Sequence, residues 1–256
     1  MTDGVPPVDS PDQYIAEDVR QRLRTFPRRF EQLDAVSELR SLLTEKSVLR
    51  GPMVHQKPES FTQQYLIEPI LDGLGYPSPS SEAYGGDGPH FVRDPSAKHV
   101  IESKRPDYLL DTGEGTTICL LEAKAANRER VDGSPRDATE QVGMYTDENV
   151  FSKYRHTVDQ QYLAAIATDG FRWKLWGKDV IGGDGAELIQ TYDFSPSIQT
   201  ISDRLSVIES TISMSSARIR RDLETEFVPY FGAENLPNAL SDELQPRRYY
   251  SSSSAS

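Results

Sequence analysis

Residues 105 to 124 read Arg105-Pro-Asp-Tyr-Leu-Leu-Asp-Thr-Gly-Glu-Gly-Thr-Thr-Ile-Cys-Leu-Leu-Glu-Ala-Lys124. A Pro-Asp pair opens a short apolar run, a Gly-rich turn follows, and a longer apolar run ends in Glu-Ala-Lys. Tyr108, Leu109 and Leu110 before the turn, and Thr116 to Leu121 after it, are residues that fit a pleated, half-buried surface. Asp111 to Gly115 is turn chemistry, so the segment predicts a β-hairpin. Pairing Asp111 with Thr116 sets Asp107 opposite Leu120. Side chains alternate along a strand, so Leu120, Glu122 and Lys124 then share the face that carries Asp107. Glu122 becomes the diagonal neighbour of Asp107, roughly 7–8 Å away and close enough for both carboxylates to grip one ion.

Two carboxylates and an ammonium at a sheet edge suit phosphodiester hydrolysis. Magnesium takes oxygen ligands and keeps several waters, so one or two carboxylates plus a substrate phosphate suffice. The metal polarises the phosphoryl oxygen and acidifies a bound water. A lysine beside it orients that water and offsets transition-state charge. Cys119 alternates with Leu120 and points away, which makes it a packed apolar residue rather than a ligand. The plainer alternative is that Pro-Asp is a turn dipeptide and that Glu122 and Lys124 form a solvated strand rim.

The chain resembles the PD-(D/E)xK nucleases, and within them the N-terminal nuclease domain of type I restriction enzyme R subunits and related stand-alone proteins. Pro106-Asp107 and Glu122-Ala123-Lys124 match the motif that names the superfamily. Glu59-Ser-Phe-Thr-Gln-Gln-Tyr-Leu-Ile-Glu68-Pro-Ile-Leu-Asp-Gly-Leu-Gly-Tyr76 resembles the family's first helix with its Leu-Gly-Tyr ending. Gln141-Val-Gly-Met-Tyr145 resembles its Gln-x-x-x-Tyr element, and Ala167 to Trp176 its late hairpin. The likeness covers about residues 55 to 180. It implies that Asp107 and Glu122 hold Mg²⁺, with the Ala123 carbonyl as a further ligand. Lys124 would contact the attacking water or the scissile phosphate, and Gln141 and Tyr145 would lie near the active centre. Independently of the family, Gln141 and Tyr145 stand at i and i+4, on one helix face. The first helix of such enzymes often contributes an acid. Glu59 and Glu68 both qualify by type, and Glu59 is preferred, although a carboxylate after Pro58 also favours the helix dipole for structural reasons.

The implied fold is α/β: a restriction-endonuclease-like core, with a mixed sheet, a central hairpin and flanking helices. The core is expected over residues 52–195, after a helical extension over 1–51 and before a helical segment over 196–232 and a disordered tail over 233–256. In the first extension, apolar residues from Tyr14 to Leu43 recur at helical spacing, and Pro27 is expected to separate two helices. Gly73 to Pro95, rich in Gly, Pro and Ser, reads as a loop over the site or a plain connection. Gln161 to Ala167 reads as a buried strand that turns through Thr168-Asp-Gly170 into a half-exposed one. Trp173 and Trp176 have opposite parity there, so at least one is expected to pack in the core rather than stack on bases. Gly182 to Gly185 is a hairpin turn. Ile198, Ile201, Leu205, Ile208 and Ile212, then Ile219, trace a narrow helical seam. Such a seam serves a homodimer or the chain's own domain, and so short a run more often packs on its own domain.

Composition bounds the function. The chain has 256 residues, 36% hydrophobic, with no membrane-spanning run; its amino end has no basic or apolar leader. One cysteine forms no internal disulfide, so a cytoplasmic setting is expected. A net charge of −12 opposes indiscriminate nucleic-acid binding. Against that, 20 arginines outnumber 8 lysines and cluster at 20–24, 28–29, 104–105, 128–130 and 218–221. Each cluster alone also reads as a solvated face. No phosphate loop G-x-x-x-x-G-K-S/T occurs, so the chain lacks the ATP-driven translocase of type I enzymes. His55, His90, His99 and His156 show no zinc spacing. The expectation is therefore a Mg²⁺-dependent DNA endonuclease of restriction, phage defence or repair, working alone or with a separate helicase or methyltransferase subunit. The alternatives are a catalytically silent nuclease-like module that binds DNA or a protein, and a structural helical adaptor.

Overall fold

The apolar runs on either side of Asp111–Gly115 form two antiparallel strands of a six-stranded mixed sheet. A computed structural model describes residues 10–81, 86–95, 105–130, 138–146, 161–181 and 185–244. The strands are β1 (His90–Arg93), β2 (Tyr108–Asp111), β3 (Thr117–Ala123), β4 (Tyr162–Thr168), β5 (Arg172–Asp179) and β6 (Glu187–Asp193), and they lie across the sheet in chain order. Neighbours run antiparallel except β3 and β4, which are parallel. These two are central and buried at every position. Their near-continuous apolar sequences are what a strand covered on both faces requires.

The hairpin register differs from the expected one. Tyr108 pairs with Leu121, Leu109 with Leu120 and Leu110 with Cys119. Asp111 does not face Thr116; it pairs with His90 of β1. Its Oδ1 accepts the Gly113 N–H at 2.7 Å and opens a wider turn. The shift is two residues, so each side chain keeps its face while Asp107 moves from opposite Leu120 to opposite Glu122.

Helices cover the two faces unequally. On one face Tyr108, Leu110, Cys119, Leu121, Ala164, Ile166, Trp173 and Leu175 enter the main core. There they meet α1 (Pro11–Arg22), α2 (Thr25–Gln32), α3 (Val36–Thr44), the short α4 (Gly51–Val54), α5 (Pro58–Thr62) and α6 (Glu68–Gly73). Helices α5 and α6 are joined by a π-helical turn, Gln63–Ile67, in which the Glu68 N–H reaches the Gln63 carbonyl. Pro69 explains it: proline lacks the N–H of an α-helical bond and crowds the carbonyl four residues back, and the wider turn relieves both. The other face carries Leu109, Ile118, Leu120, Leu163, Ala165 and Ala167, and α7 (Ala138–Tyr145) covers it. Alanines at 165 and 167 let that helix approach closely.

The segments expected as extensions share the main core. Phe26 and Phe30 of α2 make edge contacts with Phe61, and Phe26 also with Phe171. Chain beyond 195 supplies α8 (Ser195–Arg204), α9 (Ser216–Asp222), a second π-turn Leu223–Phe227 ahead of Pro229, α10 (Val228–Phe231) and α11 (Leu236–Leu244). Trp173 packs edge-on against Phe194, Phe227 and Phe231. Trp176 packs beside α7 instead.

Several expectations are corrected. Pro27 does not separate helices; it sits in the first turn of α2, where no N–H is needed, and the break falls at Leu23–Arg24. The seam from Ile198 is not one helix: α8 ends at Arg204 and Ser206 takes a positive φ of 58°. Ile198, Ile201, Leu205, Ile208 and Ile219 pack into the chain's own core, whereas Ile212 is exposed. The tail does not begin at 233, because α11 buries Leu236, Leu240 and Leu244. The stretch 73–95 contains β1, an edge strand. Residues 1–9, Lys104, His99, His156, the turn at 182–184 and the tail from 245 lie outside the described residues. Among the described residues no helix is long and apolar enough to cross a membrane.

The β4–β5 turn ties the sheet to α5 and its π-turn. Gly170 has a φ of +79°, and a Cβ there would lie 2.5 Å from Leu66 Cδ2 and 3.1 Å from Thr62 Cγ2. Gly170→Ala is expected to cost about 2–3 kcal/mol through backbone strain and overpacking. Thermal unfolding should show a Tm lowered by roughly 5–10 °C. An unchanged Tm would mean that the turn does not press on the helix.

Candidate functional site

Glu122 ends β3 on the α7 side of the sheet and is only 4% exposed. A buried carboxylate needs donors, and this one has two. Its Oε1 accepts from Lys124 Nζ at 2.7 Å, and its Oε2 accepts from the Tyr145 hydroxyl at 3.0 Å. Burial pushes the pKa of Glu122 up, while Lys124 and Tyr145 pull it down. Lys124 Nζ also donates to Gln141 Oε1 at 2.9 Å. The Tyr145 hydroxyl lies 3.1 Å from the Arg105 carbonyl, so its one proton serves two acceptors. Burial, then the charge of Glu122, raises its own pKa.

Helix α7 can present both polar residues because of its spacing. Ala138, Val142 and Tyr145 form the buried stripe, and Gln141 stands one turn before Tyr145 at its border. Ala138 and Val142 rest on Ala165 and Ala167, while Tyr145 rests on Ile118, Leu120 and Leu163.

Asp107 completes the pair of acids. Its Oδ2 accepts the Ala123 N–H at 2.7 Å, which joins the start of β2 to the end of β3. Burial pushes its pKa up to about 7, with the charge of Glu122 adding to the shift and Glu59 contributing further. The Ala123 N–H and Lys124 oppose it. Two carboxyl groups thus share one poorly solvated place and resist carrying two charges together.

The structure also separates the two first-helix acids. Glu59 lines an open cleft of about 450 Å³ together with Lys124, Gln141 and Arg128, against an apolar wall of Val48, Leu49 and Pro58. The helix is pinned there because Thr62 Oγ1 accepts the Ala126 N–H at 2.9 Å while donating to the Pro58 carbonyl. Glu68 is engaged elsewhere, accepting from Arg93 at 3.0 Å and from the Tyr108 hydroxyl at 2.9 Å. Ala123 stands between Glu122 and Lys124, its N–H committed to Asp107. Glu122, Lys124, Gln141 and Tyr145 therefore form one hydrogen-bonded group with Asp107 beside it. Lys124 and Gln141 of that group line the cleft with Glu59, and Glu68 does not. Sequence had marked Arg128 only as part of a basic cluster. Glu129, buried beneath it, went unnoticed because nothing in its local spacing sets it apart.

Among the described residues no three His, Cys, Asp or Glu side chains converge on a single point. The geometry offers a carboxylate pair rather than a full cage. A pair fits a cation that keeps most of its waters. The fit is supported by the donor set itself: Asp107 is raised first by burial and then by the neighbouring charge of Glu122, and a bound cation would relieve that repulsion.

Comparison of the chain with family models, with curated proteins and with solved structures finds no match.

The burial of Asp107 has a measurable consequence in the metal-free protein. Its carboxyl titrates near 3.9 in an unfolded chain and at about 7 when folded. Between these values the folded state keeps a proton that the unfolded chain has lost. Its contribution to stability therefore falls as pH rises through that window and levels off above it. In EDTA, Asp107→Asn should be more stable than the wild type by about 1–3 kcal/mol near pH 8, and the gap should shrink toward pH 5. Denaturant midpoints across pH 5–8 measure it; a gap independent of pH would show the carboxyl to be well solvated.

Proposed function

We propose that the chain is a metal-dependent nuclease of the PD-(D/E)xK type with a restriction-endonuclease-like core, acting on DNA. The observation that carries this reading is the meeting of Asp107, Glu122 and Lys124 at the ends of two paired strands, with Gln141 on the same ammonium. A structural ion pair needs no second buried acid beside it. A solvated rim would not bury Glu122 or give Asp107 a pKa of about 7.

Asp107 and Glu122 would hold Mg²⁺, with the Ala123 carbonyl as a further ligand. When bound, the ion supplies Lewis-acid polarisation of the phosphoryl oxygen and acidifies a water. The chain's own groups do the rest. Lys124 stabilises charge on the phosphate oxygens in the transition state and orients the attacking water. Gln141 fixes the Lys124 ammonium through its Oε1. Tyr145 fixes Glu122 through its Oε2. Glu59 adds negative charge at the cleft, and Arg128 brings a guanidinium suited to a neighbouring phosphate. The water oxygen bonds to phosphorus, one P–O ester bond breaks, and the departing oxygen takes a proton.

A second reading is a silent module that binds a protein, such as a separate helicase or methyltransferase subunit. The net charge of −12 favours it over free DNA binding.

Incubation with linear, circular and single-stranded DNA across Mg²⁺ and Mn²⁺ concentrations tests the reading. Metal-dependent cutting is expected, and Lys124→Ala should lower its rate by about 10²–10³. Wild-type protein that shows no metal-dependent cutting would sink the proposal and leave the silent module.

A further inference from the structure

Glu129 is a fully buried carboxylate that the chemistry above does not use; its side chain is 0% exposed. It lies just after the site strand, in the 3-10 turn Arg128–Arg130. Its Oε1 accepts the backbone N–H groups of Ala138, by a short bond, and Thr139 at 3.2 Å. These are the first residues of α7 and have no acceptor within the helix. Its Oε2 accepts from the Thr139 hydroxyl at 2.8 Å and from Lys174 Nζ at 3.0 Å. Lys174 Nζ donates to Thr139 Oγ1 as well, at 2.7 Å. The turn itself is held from below, where the Glu129 N–H donates to Asp169 Oδ2 at 3.0 Å.

The far end of α7 has its own cation. Lys178 Nζ donates to the Thr146 carbonyl at 3.3 Å. Lys174 and Lys178 are four residues apart on one face of β5, a span of about 13 Å, close to the roughly 12 Å length of an eight-residue helix. Trp176 stands between them and packs on the same face as Ala138 and Val142. Negative charge thus meets the helix's positive end and positive charge its negative end. Burying an ion pair costs desolvation that a purely apolar contact would avoid. Here the pair joins three elements: the turn after β3, α7 and β5.

We propose that Glu129 and Lys174 are positioning residues that clamp α7 so that Gln141 reaches Lys124 and Tyr145 reaches Glu122. The proposal rests on the nuclease reading and makes Glu129 act through α7, not on substrate. Its effect should therefore disappear once α7 has lost its two polar contacts.

Steady-state cleavage of linear DNA at saturating Mg²⁺ tests this. Glu129→Ala should lower kcat about tenfold or more while KM stays within about threefold. Glu129→Gln combined with Lys174→Met should recover most of the rate, because Gln still caps α7 and no buried charge is left unpaired. In a Gln141→Ala, Tyr145→Phe background, Glu129→Ala should cost less than about twofold more. Leu240→Ala, which destabilises the opposite face, should keep kcat. If the wild type cuts but Glu129→Ala is harmless, or costs the same in both backgrounds, the clamp is overturned and the nuclease reading stands. If the wild type shows no metal-dependent cutting, both fall.

Discussion

A carboxylate at the end of a strand that is buried along its whole length sets the terms for its surroundings. Glu122 cannot be left there without donors, since an unpaired buried charge costs several kcal/mol. Lys124 supplies one donor from the same strand and Tyr145 the other from α7. Lys124 is in turn held by Gln141, and α7 by Glu129 and Lys178. Each of these contacts is a local answer to a desolvation problem. Together they gather an ammonium, a hydroxyl and a second carboxyl around Glu122.

The opposite face of the sheet does different work. Helices from both ends of the chain meet there around Phe26, Phe61, Phe171, Trp173 and Phe227. The amino-terminal helices are also joined to the site segment directly, since the Leu49 N–H bonds to the Ala126 carbonyl. The Asn127 side chain donates to the Leu42 carbonyl in the last turn of α3 and to the Ser47 carbonyl beyond it. One wall of the cleft, Val48 and Leu49, thus comes from chain expected as a helical extension.

The parts legible in sequence are those governed by short periods. The two runs around Asp111–Gly115 announce a hairpin, and the period of two keeps Glu122 and Lys124 on one face whatever the register. Gln141 and Tyr145 share a helix face by their i, i+4 spacing. The register itself was not legible, because it depends on the width of the turn, where the Asp111 carboxylate accepts the Gly113 N–H and strand pairing stops short of Thr116. Glu59 and Glu68 are nine residues apart, which puts them on opposite sides of an ordinary helix. Sequence cannot say which side meets the cleft. Strand β1 is four residues long in a Gly- and Pro-rich stretch, and too short to show alternation. The α11 helix did leave a trace in Leu236, Leu240 and Leu244, obscured by the polar sequence that follows. Glu129 and Lys174 left none, as their pairing spans 45 positions of sequence.

The parallel pairing of β3 with β4 has a bearing on how the protein assembles. The β2–β3 and β4–β5 hairpins join neighbours in the chain and close early, whereas Thr117 meets Tyr162 only after a long crossover has been brought round. The two acids belong to the first hairpin and the clamping lysines to the second. Helix α7 lies within the crossover and spans the seam between them. A nascent chain with both hairpins formed but not yet joined would carry Asp107 and Glu122 together without the helix that disciplines them. Assembly of the candidate site and the joining of the two hairpins are therefore one event.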